Sequence, residues 1–534
     1  MEPAAQPVVL DRKACYAALM ARDSRFDGKF FTGVSSTGIY CRPICRVKRP
    51  QEKNCSFYVS AAAAEAAGYR PCLKCRPELA PAGPATLPPA PMDAARRLAR
   101  EAAFIMADDW LADSSLEELA ATLGISSRHL RRIFYAEYGI PAVQYLQTMR
   151  LLLAKNLLTD TKLPITEIAM TAGFGSIRRF NALFKKHYRL TPRALRKTEG
   201  ISPGRRDDRR GGGITLLLGF RPPYDWEGII SFLAGRAIPG VESVAADPSG
   251  SLSYRRTVAI PGKDGVYRGW ISVTTVPKKD ALALTLAPSL LPVLSKALSR
   301  VRALFDTGCS PWDIYEKLAV MNTLAPDLCR PGTRLPGCFD PFEMSVRAVL
   351  GQQITVQAAR TLAGRFAQAL GEEIPASFEE LTHTFPRPET ILALKSPVET
   401  VLGALGITRS RSRSIYALAE ALIAGKLTLS PRADPEGEME TLLSLPGFGP
   451  WTVNYIGMRA LSWPDAFPHT DYGVQKALPG KTPQEILALS ENWRPWRSYG
   501  TINLWNSLKK EEEHDDLHLY SEYPPGGHDG GRRG

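Results

Sequence analysis

Apolar positions change their period along this 534-residue chain. From about 96 to 197 they recur every three to four residues among many arginines, which predicts amphipathic helices. From about 214 to 310 the period falls to two in "ITLLLGF", "YRGWISVTTV" and "ALALTLA", which predicts strands around one early helix, "WEGIISFLAGRA". From about 311 to 511 helix follows helix, separated by short glycine or proline breaks. The stretch 1–80 is marked instead by cysteine, holding six of the nine in the chain. "PAGPATLPPAP" within 81–95 and "SPGRRDDRRGGG" within 198–213 read as linkers, and 512–534 has no pattern that would build a core and reads as a disordered tail. The expectation is a multidomain protein, mainly α with α+β parts, with units at 1–80, 96–197, 214–310 and 311–511.

Charge narrows the partners. The formal net charge is +13, and 96–197 alone carries 17 Lys/Arg against 9 Asp/Glu, a surplus of 17 − 9 = 8. Such a surplus suits an anionic partner such as nucleic acid, although charge for solubility would look the same. No apolar run reaches the roughly 18 residues that cross a membrane, and "MEPAAQPVVLDRKA" lacks the apolar core of a signal peptide. A cytoplasmic chain is expected, and in that reducing setting disulfides are disfavoured.

Cys41, Cys45, Cys72 and Cys75 form C-x3-C, a 26-residue gap, and C-x2-C. Two close pairs of soft ligands match a tetrahedral Zn²⁺ site, and from spacing alone that site could be purely structural. Cys15 and Cys55 fit no pair and read as buried thiols. The stretches "STGIYCRPICRVKRP" and "NCSFYVSAAAAEAAGYRPCLKCRPE" resemble the zinc domain of the Ada-type methyl phosphotriester repair proteins. The resemblance implies that Cys41 accepts the methyl group while all four cysteines hold zinc. It also implies that Arg42, Arg46, Lys48 and Arg49 approach DNA more readily once methylation has made the site less negative.

In the basic block, "LEELAATLG", a short turn and "SRHLRRIFYAEY" form a helix-turn-helix, with Ser126 as the cap of its second helix. A similar unit recurs in "ITEIAMTAGFGSIRRFNALFKKHY", and the helix "VQYLQTMRLLLAKNLLTD" joins the two. The pair resembles the AraC-type DNA-binding domain, which Ada-type proteins carry after their zinc domain. The resemblance implies base or phosphate contacts from Ser127, Arg128 and Arg131, and from Ser176, Arg178 and Arg179. A solvated helix face is the plain alternative for each arginine. The Pro-Cys-His-Arg motif of the methyltransferase domain that often ends Ada proteins is absent from the sequence.

"LLSLPGFGPWTVNYIGMRAL" reads as a helix-hairpin-helix, with Gly447 and Gly449 in the turn and N–H groups directed at a phosphate. A monovalent cation on backbone carbonyls is a further expectation for this turn. Asp471 follows 22 residues after Gly449 and would cap a helix starting near Tyr472. A hairpin with an aspartate at that separation resembles the helix-hairpin-helix DNA glycosylases, which implies that Asp471 is the catalytic carboxylate. Some members carry a Schiff-base lysine two residues past the second glycine; here that position is Trp451, which implies base removal without strand cleavage. "RPPYDWEGIISFLAGRAIPGVESV", "RLPGCFDPFEMSVRAVLGQQITV" and "NWRPWRSYGTINLW" narrow the resemblance to AlkA-type 3-methyladenine DNA glycosylases, with a TBP-like domain at 214–310 and an all-α domain at 311–511. It implies a base pocket of Phe232, Trp451, Tyr455 and Trp505, and a residue filling the gap left by the flipped base, either Gln353 or Ile354.

Together these resemblances imply one chain that removes methyl from DNA phosphates, thereby activates transcription, and excises alkylated bases. The expected partners are damaged and promoter double-stranded DNA and RNA polymerase, with the protein monomeric and associated with a bacterial nucleoid. Two alternatives are a regulator whose glycosylase body only binds DNA, and an enzyme whose helix-turn-helix units supply general DNA affinity.

Overall fold

The computed structural model describes residues 10–81, 94–108, 115–198, 212–246, 250–375, 377–430 and 433–508. Most of both expected linkers and all of the expected tail lie outside these residues. The described helices and sheets follow the periodicities along the chain, mainly α with two sheet-containing regions.

The cysteine-rich region begins with the helix Arg12–Ala21, whose N-cap Asp11 accepts from the Lys13 N–H. A four-stranded sheet follows, in the order Cys55–Tyr58, Phe31–Val34, Ile39–Cys41, Arg70–Pro71. The last two strands run parallel, with Tyr40 opposite Pro71. One residue beyond that pair the chain reaches Cys41 on one strand and Cys72 after the other, so the register brings the two cysteine pairs together.

In the basic block the helices Leu116–Thr122 and Ser127–Tyr138 form the first helix-turn-helix, and Ile165–Thr171 and Ile177–Tyr188 the second. Ser126 and Ser176 cap the two second helices, accepting from His129 and Arg179 N–H groups. The 19-residue helix Ala142–Asp160 joins the units, as its pattern required.

A five-stranded antiparallel sheet follows, in the order Ile214–Gly219, Ala281–Leu286, Gly265–Val276, Leu252–Gly262, Glu242–Ala246. The helix Trp226–Arg236 packs on it. One apolar core runs from Leu216, Val273 and Leu284 of this sheet to Phe467, Trp493, Tyr499 and Leu504 near the end, so packing is continuous across residue 310. Phe180 and Phe184 of the second helix-turn-helix, and Leu195 of the helix Pro192–Thr198 after it, join the same core. A second core, including Leu350, Phe366, Ile415 and Ile456, fills the helical region.

Buried ion pairs tie the regions together. Glu78 beside the cysteines accepts from Lys155 Nζ at 2.5 Å, with side-chain exposures of 2% and 1%. Arg76 donates to Asp160, Asn156 and Thr159 of the joining helix, and the other Asp160 oxygen accepts from Leu217 N–H in the five-stranded sheet at 3.3 Å. The buried Asp27 carboxylate accepts from Arg42 Nε at 2.8 Å, and the Asp27 carbonyl accepts from Arg221 Nε at 2.8 Å. Arg221 continues to the carbonyls of Gly308 and Cys309. Buried charges persist where every donor and acceptor is matched, and these joints meet that condition closely. Two glycines keep the approach open: a Cβ on Gly219 would lie 2.0 Å from the Leu79 carbonyl oxygen, and one on Gly28 (φ +75°) 2.1 Å from that of Pro81.

These contacts correct one expectation. Arg42, which the sequence groups with Arg46, Lys48 and Arg49 as expected to approach DNA, is only 7% exposed, because Asp27 draws its guanidinium inward.

Candidate functional site

The four sulfurs of Cys41, Cys45, Cys72 and Cys75 lie within 4.8 Å of one another. That spread fits four ligands at about 2.3 Å around one zinc ion. The surroundings fit as well: the Arg42 backbone N–H donates to Cys75 Sγ at 3.4 Å and its guanidinium to the Cys75 carbonyl at 3.1 Å, contacts suited to a thiolate shell. Cys41, Cys45 and Cys72 are buried, and Cys75 is the most open of the four. Cys15 and Cys55 are buried elsewhere in the domain, with burial the first cause raising both thiols.

On the helix-turn-helix units Arg128, Arg178 and Arg179 are exposed near the starts of their helices, where side chains reach a groove. Arg131 is exposed too, but its guanidinium meets Glu117 at 2.8 Å. Ser176 is occupied as a cap.

At the hairpin the helix Pro435–Ser444 turns through Gly447 into the helix Pro450–Arg459. Gly447 needs its glycine, with φ +81° and Ser414 Oγ 2.2 Å from where a Cβ would sit. Gly449 does not need one for conformation: its φ is −88° and a Cβ there would meet nothing. Its bareness opens the N–H groups of the following helix to a ligand. The Gly447 carbonyl is engaged by Gln352 Nε2 at 2.9 Å, and the same amide reaches Thr452 Oγ1 at 2.9 Å. Gln353 therefore sits at a fixed tip between the helices Pro341–Leu350 and Val356–Leu370, exposed and in the left-handed region at φ 54°. Ile354 is half-buried behind it.

The helix Pro450–Arg459 brings Trp451 and Tyr455 one turn apart, stacked at 5.4 Å between ring centroids. Tyr455 faces Trp505 at 6.3 Å, and Trp505 stacks near-parallel to Phe232 at 6.1 Å. The four aromatics named from sequence thus form one cluster, with Phe232 buried and the other three half-buried. Asp471 lies at its edge. As the N-cap of Tyr472–Ala477 it accepts from Val474 N–H on Oδ1 at 3.1 Å. Oδ1 also accepts from Trp505 Nε1 at 2.8 Å, and Oδ2 from Trp451 Nε1 at 2.9 Å. Two indoles and a helix end therefore fix the carboxylate plane, and Oδ2, with one donor, keeps the freer lone pairs. Gly473 makes the approach of Trp505 possible, since a Cβ there would be 2.9 Å from Trp505 Cδ1.

Sequence reasoning missed Arg236, Arg459, Gln352 and Gly473. Arg236 Cζ lies 3.8 Å from the Phe232 ring centroid; Arg459 Cζ lies 4.8 Å from it, and Arg459 donates to the Tyr455 hydroxyl at 2.9 Å. Burial raises the Tyr455 phenol, but Arg459, Arg236 and Arg347 outweigh it and leave the group below the ordinary tyrosine value. The usable signal was spacing: each of Arg236 and Arg459 stands four residues after a pocket aromatic on one helix face.

Comparison with known proteins covers all four regions. Family models match as the metal binding domain of Ada over 14–78 and a helix-turn-helix domain over 119–198. The AlkA N-terminal domain matches over 215–340, and the HhH-GPD superfamily of base excision DNA repair proteins over 346–490. Escherichia coli (strain K12) DNA-3-methyladenine glycosylase 2 is 36% identical over 54% of this chain and 95% of its own. The Bacillus subtilis (strain 168) bifunctional transcriptional activator/DNA repair enzyme AdaA is 30% identical over 36% of this chain and 84% of its own. A Mycobacterium tuberculosis (strain H37Rv) protein described as a "probable bifunctional transcriptional activator/DNA repair enzyme AlkA" is 34% identical over 96% of this chain and 98% of its own. With a zinc-binding cysteine tetrad, paired helix-turn-helix units and a helix-hairpin-helix body in one chain, matched end to end by that last relative, the protein belongs to the bifunctional transcriptional activator/DNA repair enzyme AlkA family.

Proposed function

We propose that the protein answers DNA alkylation in two ways. Its amino-terminal half takes a methyl group from a DNA methyl phosphotriester and then activates transcription at specific promoters. Its carboxy-terminal half hydrolyses the N-glycosidic bond of alkylated bases such as 3-methyladenine. Double-stranded DNA is the substrate of both halves.

In the sensor, Cys41 sulfur attacks the methyl carbon of the triester in line. The S–C bond forms as the C–O bond breaks, and the phosphate leaves as an ordinary anionic diester. Bound zinc keeps the sulfur in its nucleophilic thiolate form, held by Cys41, Cys45, Cys72 and Cys75. The S-methyl thioether that forms is stable, so each molecule reacts once. Arg46, Lys48 and Arg49 then meet phosphates against less negative charge. Arg128, Arg178 and Arg179 supply groove and backbone contacts, and Arg131 joins them by releasing Glu117. RNA polymerase is the partner of the methylated, promoter-bound form, and the chain works as a monomer in the bacterial cytoplasm on nucleoid DNA.

In the glycosylase, Gly447 and Gly449 hold a phosphate beside the lesion, and Gln353, at the exposed tip, fills the gap as the base leaves the stack. The base enters the cluster of Phe232, Trp451, Tyr455 and Trp505, whose electron-rich faces suit a ring made cationic by alkylation. As the bond to C1′ lengthens, positive charge grows on the sugar, and the fixed Asp471 carboxylate stabilises it and orients water. Trp451 stands where a Schiff-base lysine would be needed, so the strand stays intact.

The observation that carries this reading is the Asp471 carboxylate, held by two indole N–H groups at 2.8 and 2.9 Å at the edge of an aromatic cluster. The test is incubation with DNA carrying methylated phosphates and methylated purines. Bases should be released intact and the Cys41 peptide should gain one methyl mass; failure of the first would refute the glycosylase half, and failure of the second the sensor half.

A further inference from the structure

The aromatic cluster already holds cations of its own. Arg347 beside it is neutralised by Glu242 at 2.8 Å and Glu343 at 3.4 Å. Arg236 and Arg459 are not: among the described residues no carboxylate pairs with either. Arg459 donates to the carbonyls of Pro336 and Gly337 and to the Tyr455 hydroxyl. Arg236 rests on the Phe232 face at 3.8 Å, with Trp505 5.7 Å away. Two guanidiniums without a carboxylate partner therefore lie against the Phe232 side of the cluster, while the Asp471 carboxylate lies at its edge, held by Trp451 and Trp505.

We propose that Arg236, with Arg459 also against Phe232, is a positioning charge that drives departure of the alkylated base. The proposal rests on the glycosylase reading above and adds a direction to the field in that site. When the C1′–N bond breaks, both electrons leave with the base. A base that entered as a cation becomes neutral, and the positive charge moves to the sugar. Water then adds its oxygen to C1′ and gives up a proton to Asp471 or solvent. The charge thus travels away from two fixed cations and toward a fixed anion. Arg236 opposes the cationic base in the bound state and ceases to do so in the transition state, which raises the rate at the expense of binding. A base ring held in the cluster would be roughly 5 to 7 Å from the guanidinium, one or two van der Waals contacts away. At that separation in a protein interior the interaction is worth on the order of tenfold in rate.

The experiment uses the full-length zinc-loaded protein under single-turnover conditions, with duplex DNA carrying one 7-methylguanine. Arg236→Met should lower the excision rate at saturation on the order of tenfold and also lower the half-saturating concentration severalfold, because the cationic base then binds without opposition. Arg236→Lys, which keeps the charge, should restore both values toward wild type. Arg236→Gln, which keeps a polar side chain without the charge, should behave like the methionine variant and replaces it if that variant does not fold. A slower rate with an unchanged or raised half-saturating concentration would mean damaged packing and would overturn the proposal, as would an unchanged rate. If the wild-type protein releases no base, the glycosylase reading itself fails, and that outcome is distinct from either.

Discussion

Trp505 and Asp471 stand 34 positions apart in sequence, yet the indole Nε1–H of the first donates to Oδ1 of the second at 2.8 Å. The same indole stacks on Phe232, so one side chain both walls the pocket and aims the carboxylate. The aromatic cluster and the aim of the Asp471 carboxylate are therefore mechanically one feature, and substitutions there separate them only when chosen by atom.

Asp471→Asn keeps an oxygen for Val474 and nearly the same volume, but it removes the charge and turns an amide N–H toward an indole donor. Base excision should fall roughly 10²- to 10³-fold, the usual cost of losing a preorganised electrostatic stabiliser. Thermal unfolding should shift little. Single-turnover release of methylated purines, measured beside circular dichroism, checks both.

The two indole donors should not be equivalent. Oδ1 keeps Val474 N–H when Trp505 becomes phenylalanine, whereas Oδ2 keeps nothing when Trp451 does. Trp451→Phe should therefore slow excision more than Trp505→Phe. Each loses a charge-assisted hydrogen bond, so the larger effect should be roughly tenfold or more. The ratio of the two single-turnover rates decides the matter.

Gln352 locks the turn carrying Gln353 to the hairpin that would hold the phosphate. Gln352→Ala removes both hydrogen bonds, to Gly447 and Thr452. Stability should fall by about 1 kcal/mol per bond at most. The half-saturating DNA concentration should rise severalfold, while the excision rate at saturation should change little. Urea unfolding together with excision titrations tests the pair of effects.

Burial pushes the Asp306 carboxyl up to about 6, against the help of Arg334, the Leu335 N–H and the Tyr499 hydroxyl. A carboxyl whose folded value lies above its unfolded value of about 3.9 binds its proton more tightly in the folded state. It therefore subtracts stability as pH rises from about 4 to about 6, and the loss is complete above that window, reaching roughly 3 kcal/mol. Asp306→Asn should lack this slope. Subtracting its unfolding free energy from that of the wild type across pH 4 to 7 isolates the group, and parallel curves would contradict the assignment.

The architecture and the gathering of the named side chains were legible because each leaves a local mark. Ser126 and Ser176 stand where helix starts need an oxygen, and the cysteine spacing carries its geometry whatever surrounds it. The 3.6-residue period marks the face that holds Trp451 and Tyr455. Other features leave no such mark. The buried pairing of Arg42 with Asp27 is a matter of tertiary partner choice, and by composition alone Arg42 is one more surface arginine. Gln352 differs from Gln353 only by a left-handed φ at the tip, which turns one amide inward and the next outward. Gly473 looks like a weak helix residue until the edge of Trp505 occupies the space its side chain would need.

The Asp27 joint bears on how the chain can be divided. Arg221 follows the first strand of the five-stranded sheet, is fully buried, and one of its acceptors is a backbone oxygen supplied from nearly two hundred positions upstream. A fragment beginning at residue 212 would bare that guanidinium and strip the cover from Gly219 and Leu217. Expressed alone, the carboxy-terminal half would lose a wall rather than a tether, and its solubility would depend on replacing what the amino-terminal residues had shielded.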